Sequence, residues 1–169
     1  RMREYIAGCC WERQLRLQKS TPSLATYSRL RLLISAVFCC LDLTGLFVDG
    51  LRSDDLNQNA LIHQMEIIAN NHVSWVNDVH GINKELCEGN TSNIVVVLRK
   101  DFGLTWDEAI DLSIEMCNKE FQAFCDLEAV VLSQEKQSSP LGQYVKGMKS
   151  WMRGNFDWYN DTKRYMTSK

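Results

Sequence analysis

The chain has 169 residues, of which 45% are hydrophobic and 24% are charged, and its formal net charge at pH 7 is −2. This length is that of one ordinary domain, and this composition excludes a wholly disordered chain. The near balance of 19 basic and 21 acidic residues argues against nucleic acid as a partner, because nucleic-acid binders usually carry a basic surplus. No apolar run reaches the roughly 18 residues that a membrane span requires.

The seven cysteines are odd in number, and their spacings match neither a CxxC motif nor a zinc site. Two pairs of them are adjacent in the sequence, which does not suit a framework of disulfide bonds. We therefore expect free thiols that pack as small hydrophobic side chains in a reducing compartment, and hence a cytoplasmic protein.

Apolar residues recur with helical periodicity through nearly the whole chain, which predicts a single all-α domain over residues 1–169. The first predicted helix covers residues 2–18. Pro22 marks the start of a second helix, because its missing N–H costs nothing at an early helical position. This second helix covers residues 24–38 and then continues or kinks through residues 40–43.

A long third helix is predicted to begin at Asp54 and Asp55, which occupy an N-cap position, and to end near Leu86. Residues 89–92 close this helix and cap the next one. Residues 94–98 are mostly β-branched and could form a strand. A lone strand would have no partner, however, so a short buried helix is predicted there.

Two capping signals predict the last helices. Thr105 and Glu108 match a capping box, which opens a helix that runs to about residue 133. The sequence Ser-Ser-Pro at residues 138–140 starts a further helix through residue 153. Residues 155–159 are expected to form a last turn before a polar tail.

Three residues of the long predicted helix form the pattern that indicates chemistry. Asn77, Gly81 and Glu85 are spaced four residues apart, so they lie along one face of the helix. Asn77 offers an amide oxygen and Glu85 a carboxylate, and such hard oxygen ligands suit Mg²⁺. Gly81 leaves room for a water molecule between them, and Lys84 can direct a positive charge toward an anion. Taken alone, this spacing would usually be a solvated helix surface.

The segment NDVHGINKE, at residues 77–85, resembles the second metal-binding motif of class I terpene synthases. Near the C-terminus, WMRGNFDWYNDTKRY resembles the Trp/Gly segment and the terminal Arg-Tyr pair of that family. Upstream, YIAGCCWERQLR and TPSLATYSRLRLLISAVFCCLDL resemble the two helices that precede the metal-binding helix in bacterial-type enzymes. The three segments follow the family's order over residues 5–165, so the resemblance covers essentially the whole chain.

The resemblance implies an all-α class I terpene synthase barrel that is incomplete at its N-terminus. The family's Asp-rich metal motif should lie on an earlier helix, upstream of Arg31. The pair Asp54 and Asp55 lies downstream of Arg31 and lacks the later acid, so we interpret it as a helix cap. The chain is therefore expected to be the C-terminal half of a terpene synthase. Its unpartnered apolar faces would make the isolated chain poorly soluble or aggregated.

The function that the resemblance implies is ionisation and cyclisation of a linear prenyl diphosphate, with farnesyl diphosphate as the expected substrate. Three Mg²⁺ ions are the implied cofactors, and a homodimer is compatible with the resemblance. Asn77 and Glu85 would hold one Mg²⁺, with water standing in at Gly81. Mg²⁺ and basic side chains would weaken the bond to the leaving diphosphate as negative charge develops on it.

The resemblance also assigns individual roles around this metal. Diphosphate binding falls to four residues: Arg31, Lys84, Arg164 and Tyr165. The positions that pull on the substrate as it ionises are Ile34 and Ser35, and Ser35 counts among the pocket residues. Candidates for the rest of the pocket wall are Phe38, Trp75 and Trp151, since aromatic faces stabilise cations.

Alternative interpretations remain for the whole chain and for single residues. A chain-elongating prenyltransferase shares the helical fold, but it uses two Asp-rich motifs and not an Asn…Gly…Glu pattern. A non-catalytic helical remnant or interaction module would agree with the missing Asp-rich motif. Arg31 could be a buried salt-bridge partner, and Trp75 and Trp151 could be core residues. The three histidines of the long helix, His63, His72 and His80, lack a third ligand and are interpreted as bystanders.

Overall fold

A computed structural model describes residues 1–162, apart from the side chain of Asn160, and every regular element in this part of the chain is an α-helix. The prediction of an all-α fold is therefore confirmed. The helices are α1 (Met2–Leu17), α2 (Leu24–Ile34), α3 (Val37–Leu46), α4 (Ser53–Asn57), α5 (Ala60–Cys87), α6 (Ile94–Phe102), α7 (Trp106–Gln134) and α8 (Pro140–Asp161). No helix of residues 1–162 combines the length and apolarity needed to cross a membrane.

Side-chain caps begin several of these helices where the sequence predicts a start. Thr105 accepts a hydrogen bond from the backbone N–H of Glu108 at 3.3 Å, and the Glu108 carboxylate accepts one from the backbone N–H of Thr105 at 2.8 Å. This is the predicted capping box of α7. Ser139 caps α8 by accepting from the N–H of Gly142 at 3.1 Å, and Pro140 occupies the first turn.

The predicted start of the long helix is wrong. Asp54 and Asp55 belong to the separate short helix α4, in which Asp55 accepts a hydrogen bond from the N–H of Arg52 at 3.0 Å. Helix α5 begins at Ala60, because the Asn59 side chain accepts from two backbone N–H groups at its start, at 3.1 and 3.2 Å. The predicted last turn at residues 155–159 is likewise no separate element, since α8 continues unbroken to Asp161.

The second predicted helix kinks so strongly that it forms two helices. Ala36, between α2 and α3, has a φ of 61°, in the left-handed region that an alanine rarely adopts. The Ser35 hydroxyl bridges the break by accepting a hydrogen bond from the N–H of Val37 at 3.1 Å. Helix α2 therefore ends at Ile34, one turn after Arg31, and α3 begins at Val37.

Helix α5 is the central element, and it contacts α2, α3, α4, α6, α7 and α8. One hydrophobic cluster packs around its first half and includes Leu41, Met65, Phe124, Tyr144 and Met148. A second cluster packs around its later part and includes Tyr27, Trp75, Val95, Leu98 and Cys117. Helix α1 packs on α2 through Gly8, where a Cβ atom would lie only 2.7 Å from Cβ of Leu33. The two clusters thus cover the first half and the later part of α5, and α2 packs against this helix.

Candidate functional site

The three predicted metal ligands lie on one face of α5, in the half of the helix that faces the second cluster. Gly81 is buried between Asn77 and Glu85, both of which are half-buried. The helix is regular through this segment, so the spacing of four residues keeps the three positions in line. Asn77 and Glu85, whose side-chain oxygens can bind a metal, therefore lie one on each side of Gly81, which has no side chain.

Arg31 reaches this face from α2. Its Nε and Nη2 atoms donate to Oδ1 of Asp78, at 3.0 and 2.7 Å. Nη2 also donates to Oδ1 of Asn77 at 3.1 Å and to the backbone oxygen of Ser74 at 3.2 Å. Arg31 is therefore a buried salt-bridge partner that also contacts a predicted metal ligand, and its role in diphosphate binding stays a prediction. Its Nη1 atom makes no hydrogen bond within residues 1–162.

Asp78 connects three helices at this point, although the sequence predicts no role for it. The side chain is 1% exposed. Its Oδ2 atom accepts from the Tyr27 hydroxyl at 2.5 Å and from the backbone N–H of Ile94 at 2.9 Å. Burial, followed by the charge of Asp78, raises the pKa of Tyr27 well above its ordinary value, so the phenol stays protonated as the donor. Asp78 thus links α5 to α2 and to the start of α6.

The carboxyl of Glu85 is partly desolvated. Burial raises its pKa to about 7, the charge of Asp78 adds to this rise, and Asn93, Arg31 and Lys84 oppose it. The Asn93 side-chain amide donates to Oε2 of Glu85 at 3.1 Å and to the backbone oxygen of Asp78 at 2.8 Å. Asn93 is the fully buried N-cap of α6, one residue beyond the segment from which the sequence predicted a cap.

The other predicted diphosphate ligands are only partly accounted for by the described structure. Lys84 lies on the exposed side of α5, where its Nζ atom is 3.3 Å from a carboxylate oxygen of Glu88. Arg164 and Tyr165 lie outside the described residues. Tyr159 of α8 was missed by the sequence analysis, and its hydroxyl accepts from Nδ2 of Asn77 at 2.7 Å. That contact turns the amide so that Oδ1 faces Arg31.

The donor set of this face fits Mg²⁺ better than a softer metal. Within residues 1–162 no three side chains of His, Cys, Asp or Glu come close enough to form a metal cluster. The face offers instead an amide oxygen from Asn77 and a carboxylate from Glu85, and such oxygen ligands suit a hard cation that keeps several waters. Burial disfavours the ionised form of Glu85, whereas a cation bound beside this carboxyl would favour that form.

The residues predicted to line a substrate pocket do not converge on one cavity. Trp151 lines a cavity of about 610 Å³ between α3 and α8, together with Thr44 and Trp158, and its Nε1 atom donates to the Thr44 hydroxyl at 3.1 Å. Trp75 is 6% exposed and packs in the second cluster, on the side of α6 and α7.

Phe38 and Ser35 line neither the cavity beside Trp151 nor the second cluster. The Phe38 ring stacks under the guanidinium of Arg1, 5.2 Å from the ring centroid, on the side of α1. Ser35 makes the hydrogen bond at the break between α2 and α3. A pocket role for these residues therefore stays a prediction, and of the four only Trp151 lines the cavity between α3 and α8.

Comparison with known proteins identifies the family to which this chain belongs. Residues 1–123 match the family model described as terpene synthase family 2, C-terminal metal binding. This matched range includes Arg31, Asn77, Gly81 and Glu85. The chain is 27% identical over 165 residues to germacrene A synthase of Nostoc punctiforme and 30% identical over 165 residues to (+)-T-muurolol synthase of Roseiflexus castenholzii.

Both relatives are matched over 97% of this chain and 51% of their own length. The chain therefore spans about half the length of the curated relatives it matches. Among solved structures, 2-methylisoborneol synthase of Streptomyces coelicolor, in complex with Mg²⁺ and geranyl-S-thiolodiphosphate, superposes with a TM-score of 0.86. That match covers 99% of this chain and 52% of the other at 23% identity, which shows a shared fold.

Proposed function

Since the chain belongs to terpene synthase family 2, we propose that it supplies the Mg²⁺- and diphosphate-binding part of an enzyme that ionises and cyclises a linear prenyl diphosphate. The expected substrate is farnesyl diphosphate, which the name of the (+)-T-muurolol synthase relative gives as the compound that enzyme cyclises. The observation that carries the proposal is the meeting of Arg31 with the predicted metal face, where it contacts Asn77 directly.

Asn77 and Glu85 would hold Mg²⁺ through their side-chain oxygens, with a water at Gly81. Mg²⁺ in such a site supplies Lewis-acid stabilisation of the negative charge that develops on a departing diphosphate. The amide of Asn93 holds the Glu85 carboxylate by one of its oxygens, and Tyr159 holds the amide of Asn77. Neighbours on α6 and α8 thus hold both side chains, and Mg²⁺ would share Oδ1 of Asn77 with Arg31.

Arg31 would donate to the diphosphate through Nη1, the nitrogen that its contacts with α5 leave open. Nε and Nη2 are occupied by groups of α5, and Nη1 makes no hydrogen bond within the described residues. Arginine is suited to this task because its planar guanidinium stays charged and can bond two groups at once. Lys84 would add charge from the outer side of the face, and Arg164 and Tyr165 are proposed from the resemblance alone.

The cavity beside Trp151 is proposed to take the apolar chain of the substrate. Its wall is mainly apolar and includes the indole rings of Trp151 and Trp158. Aromatic faces stabilise a cation by about 0.5 to 2 kcal/mol per contact, so they suit a site in which a carbocation rearranges.

Two further properties belong to the proposal. The seven free thiols support a reducing compartment such as the cytoplasm as the place of action. The homodimer stays a prediction.

Product analysis tests the proposed reaction. The chain is incubated with geranyl, farnesyl and geranylgeranyl diphosphates, with and without Mg²⁺, both as it stands and joined to the part of (+)-T-muurolol synthase that it does not match. We expect cyclised product from farnesyl diphosphate that disappears without Mg²⁺ and in Glu85→Ala. Glu115→Ala is the matched control, because Glu115 is an exposed carboxylate on α7 whose ion-pair partner, Lys119, has no predicted role in the site. Absence of product from both forms would favour the non-catalytic helical module.

A further inference from the structure

We propose that Asp78 is a positioning residue, which fixes the guanidinium of Arg31 so that its Nη1 edge remains free to donate to a diphosphate. This inference rests on the proposed function and deepens it. It concerns a residue that lies between the predicted metal ligands in the sequence but has no predicted role in binding the metal. Asp78 would act through Arg31 and would touch neither metal nor substrate.

The two carboxylate oxygens of Asp78 have separate tasks. Within residues 1–162, Oδ1 accepts only from Arg31, through Nε and Nη2. Oδ2 accepts from the hydroxyl of Tyr27 and from the backbone N–H of Ile94. The second pair of bonds fixes the carboxylate to α2 and α6, so its orientation does not depend on Arg31. The first pair then fixes the guanidinium against a carboxylate that is already held.

Burial makes this pairing necessary. The Arg31 side chain is 13% exposed, and a guanidinium withdrawn from water is costly unless a counter-charge lies beside it. Burial has the largest single effect and lowers the pKa of Arg31. The charge and hydrogen bond of Asp78, together with Tyr27 and Glu85, outweigh burial, so the net change is a raised pKa. A guanidinium stays charged with or without a partner, so Asp78 supplies the counter-charge that makes this buried position of Arg31 favourable.

The pairing also sets the direction of the open edge. Nε and Nη2 of Arg31 both donate to Asp78, and Nη2 also donates to the backbone oxygen of Ser74 and to Asn77. These bonds fix the guanidinium plane at three residues of α5. Glu85 contributes to the raised pKa of Arg31, so the guanidinium lies within electrostatic reach of the second predicted metal ligand. A diphosphate held at this face would then meet Nη1 without rearrangement of the arginine.

An Asp78→Asn substitution separates this role from a purely structural one. The backbone N–H of Ile94 is a fixed donor, so the amide oxygen of the new side chain must face it. The NH₂ group then faces Arg31, where a donor meets a donor. Tyr27→Phe is the matched control, because it removes a bond to the other oxygen of the same carboxylate and leaves the pairing with Arg31 intact.

Two measurements on the 169-residue chain test the proposal. The first follows the Nε–H signal of Arg31 by ¹H–¹⁵N NMR without ligand. We expect a protected signal in the wild type and in Tyr27→Phe and a rapidly exchanging one in Asp78→Asn. The second titrates inorganic pyrophosphate in the presence of Mg²⁺. We expect affinity to fall about tenfold in Asp78→Asn and in Arg31→Gln, with no further loss in the double variant, as for two residues that act as one unit.

The outcomes are distinguishable. An unchanged Arg31 signal in Asp78→Asn, an additive loss in the double variant, or an equal loss in Tyr27→Phe would each overturn the positioning role. A wild type that binds no pyrophosphate would refute the proposed function, and the NMR signal would then decide alone whether Asp78 holds Arg31. If Asp78→Asn fails to fold, Asp78→Glu takes its place. The longer side chain keeps the charge but moves it, so the Arg31 signal should still change.

Discussion

The side-chain amide of Asn93 connects two parts of the predicted metal helix: it lies 3.1 Å from Oε2 of Glu85 and 2.8 Å from the backbone oxygen of Asp78. Asn93 belongs to the start of α6, so this contact joins a capping residue to a predicted metal ligand. Its side-chain oxygen meanwhile accepts from the N–H of Val95 at 2.9 Å, which leaves only the NH₂ group for Glu85.

Asn93→Ser should weaken Mg²⁺ binding while leaving the helix cap in place. A serine can still cap α6, but it cannot donate to Glu85 as the amide does. Mutation of a residue that orients a metal ligand typically lowers metal affinity by about 10- to 100-fold, so we expect a loss in that range. Isothermal titration with Mg²⁺ and pyrophosphate measures it, and the melting temperature checks the cap. An affinity equal to that of the wild type would mean that Asn93 caps α6 but does not orient Glu85 for Mg²⁺.

His72 should make the chain less stable as the pH falls. It is 9% exposed, and burial lowers its pKa to about 4 from an ordinary 6.5. Between these values the unfolded chain binds a proton that the folded chain does not, so stability is full above pH 6.5 and is lost toward pH 4. The expected loss is about 1 to 3 kcal/mol.

Urea unfolding at several pH values measures this contribution. In His72→Gln the slope of the unfolding free energy against pH should be smaller than in the wild type between pH 4 and 6.5. His63→Gln is the control, because the His63 side chain is 64% exposed. The assignment fails if both variants retain the wild-type slope.

Ala36→Gly should stabilise the chain. Ala36 has a φ of 61°, which strains any residue with a Cβ atom, whereas glycine adopts this conformation readily. Relief of the strain exceeds the added entropy of the unfolded chain, and we expect a gain of about 0.5 to 1 kcal/mol. Thermal and urea unfolding provide the measurement. Ala123→Gly, in the middle of α7, should instead lose about 1 kcal/mol, and a loss at both sites would contradict the strained conformation.

Trp75→Ala and Trp151→Ala should differ in stability and in ligand binding. Trp75 is 6% exposed in a hydrophobic cluster, so its truncation should cost about 3 to 5 kcal/mol. Trp151 is 39% exposed at the wall of a cavity, so its truncation should cost much less and should change the products or the affinity for farnesyl diphosphate. Urea unfolding and product analysis separate the two effects. Equal losses of stability would show that Trp151 is also a core residue.

The sequence determined the features of this protein that depend on near neighbours. Helical periodicity predicts an all-α chain, and the caps at Thr105 and Ser139 predict where α7 and α8 begin, because capping bonds span only three residues. The spacing of Asn77, Gly81 and Glu85 predicts a common helix face for the same reason. The resemblance of this segment to a known metal motif then predicted the family that the comparison with terpene synthase family 2 confirms.

Only the tertiary structure decided what surrounds that face. Arg31 and Asp78 are 47 positions apart, and no local pattern shows that α2 crosses α5 at this point. The contacts of Asn93 with Glu85 and of Tyr159 with Asn77 likewise depend on how α6 and α8 pack against α5. Packing also places Trp75 in a core and Trp151 beside a cavity, although both are tryptophans on amphipathic helices. Which groups meet is set by the burial of whole helix faces, which no short stretch of sequence contains.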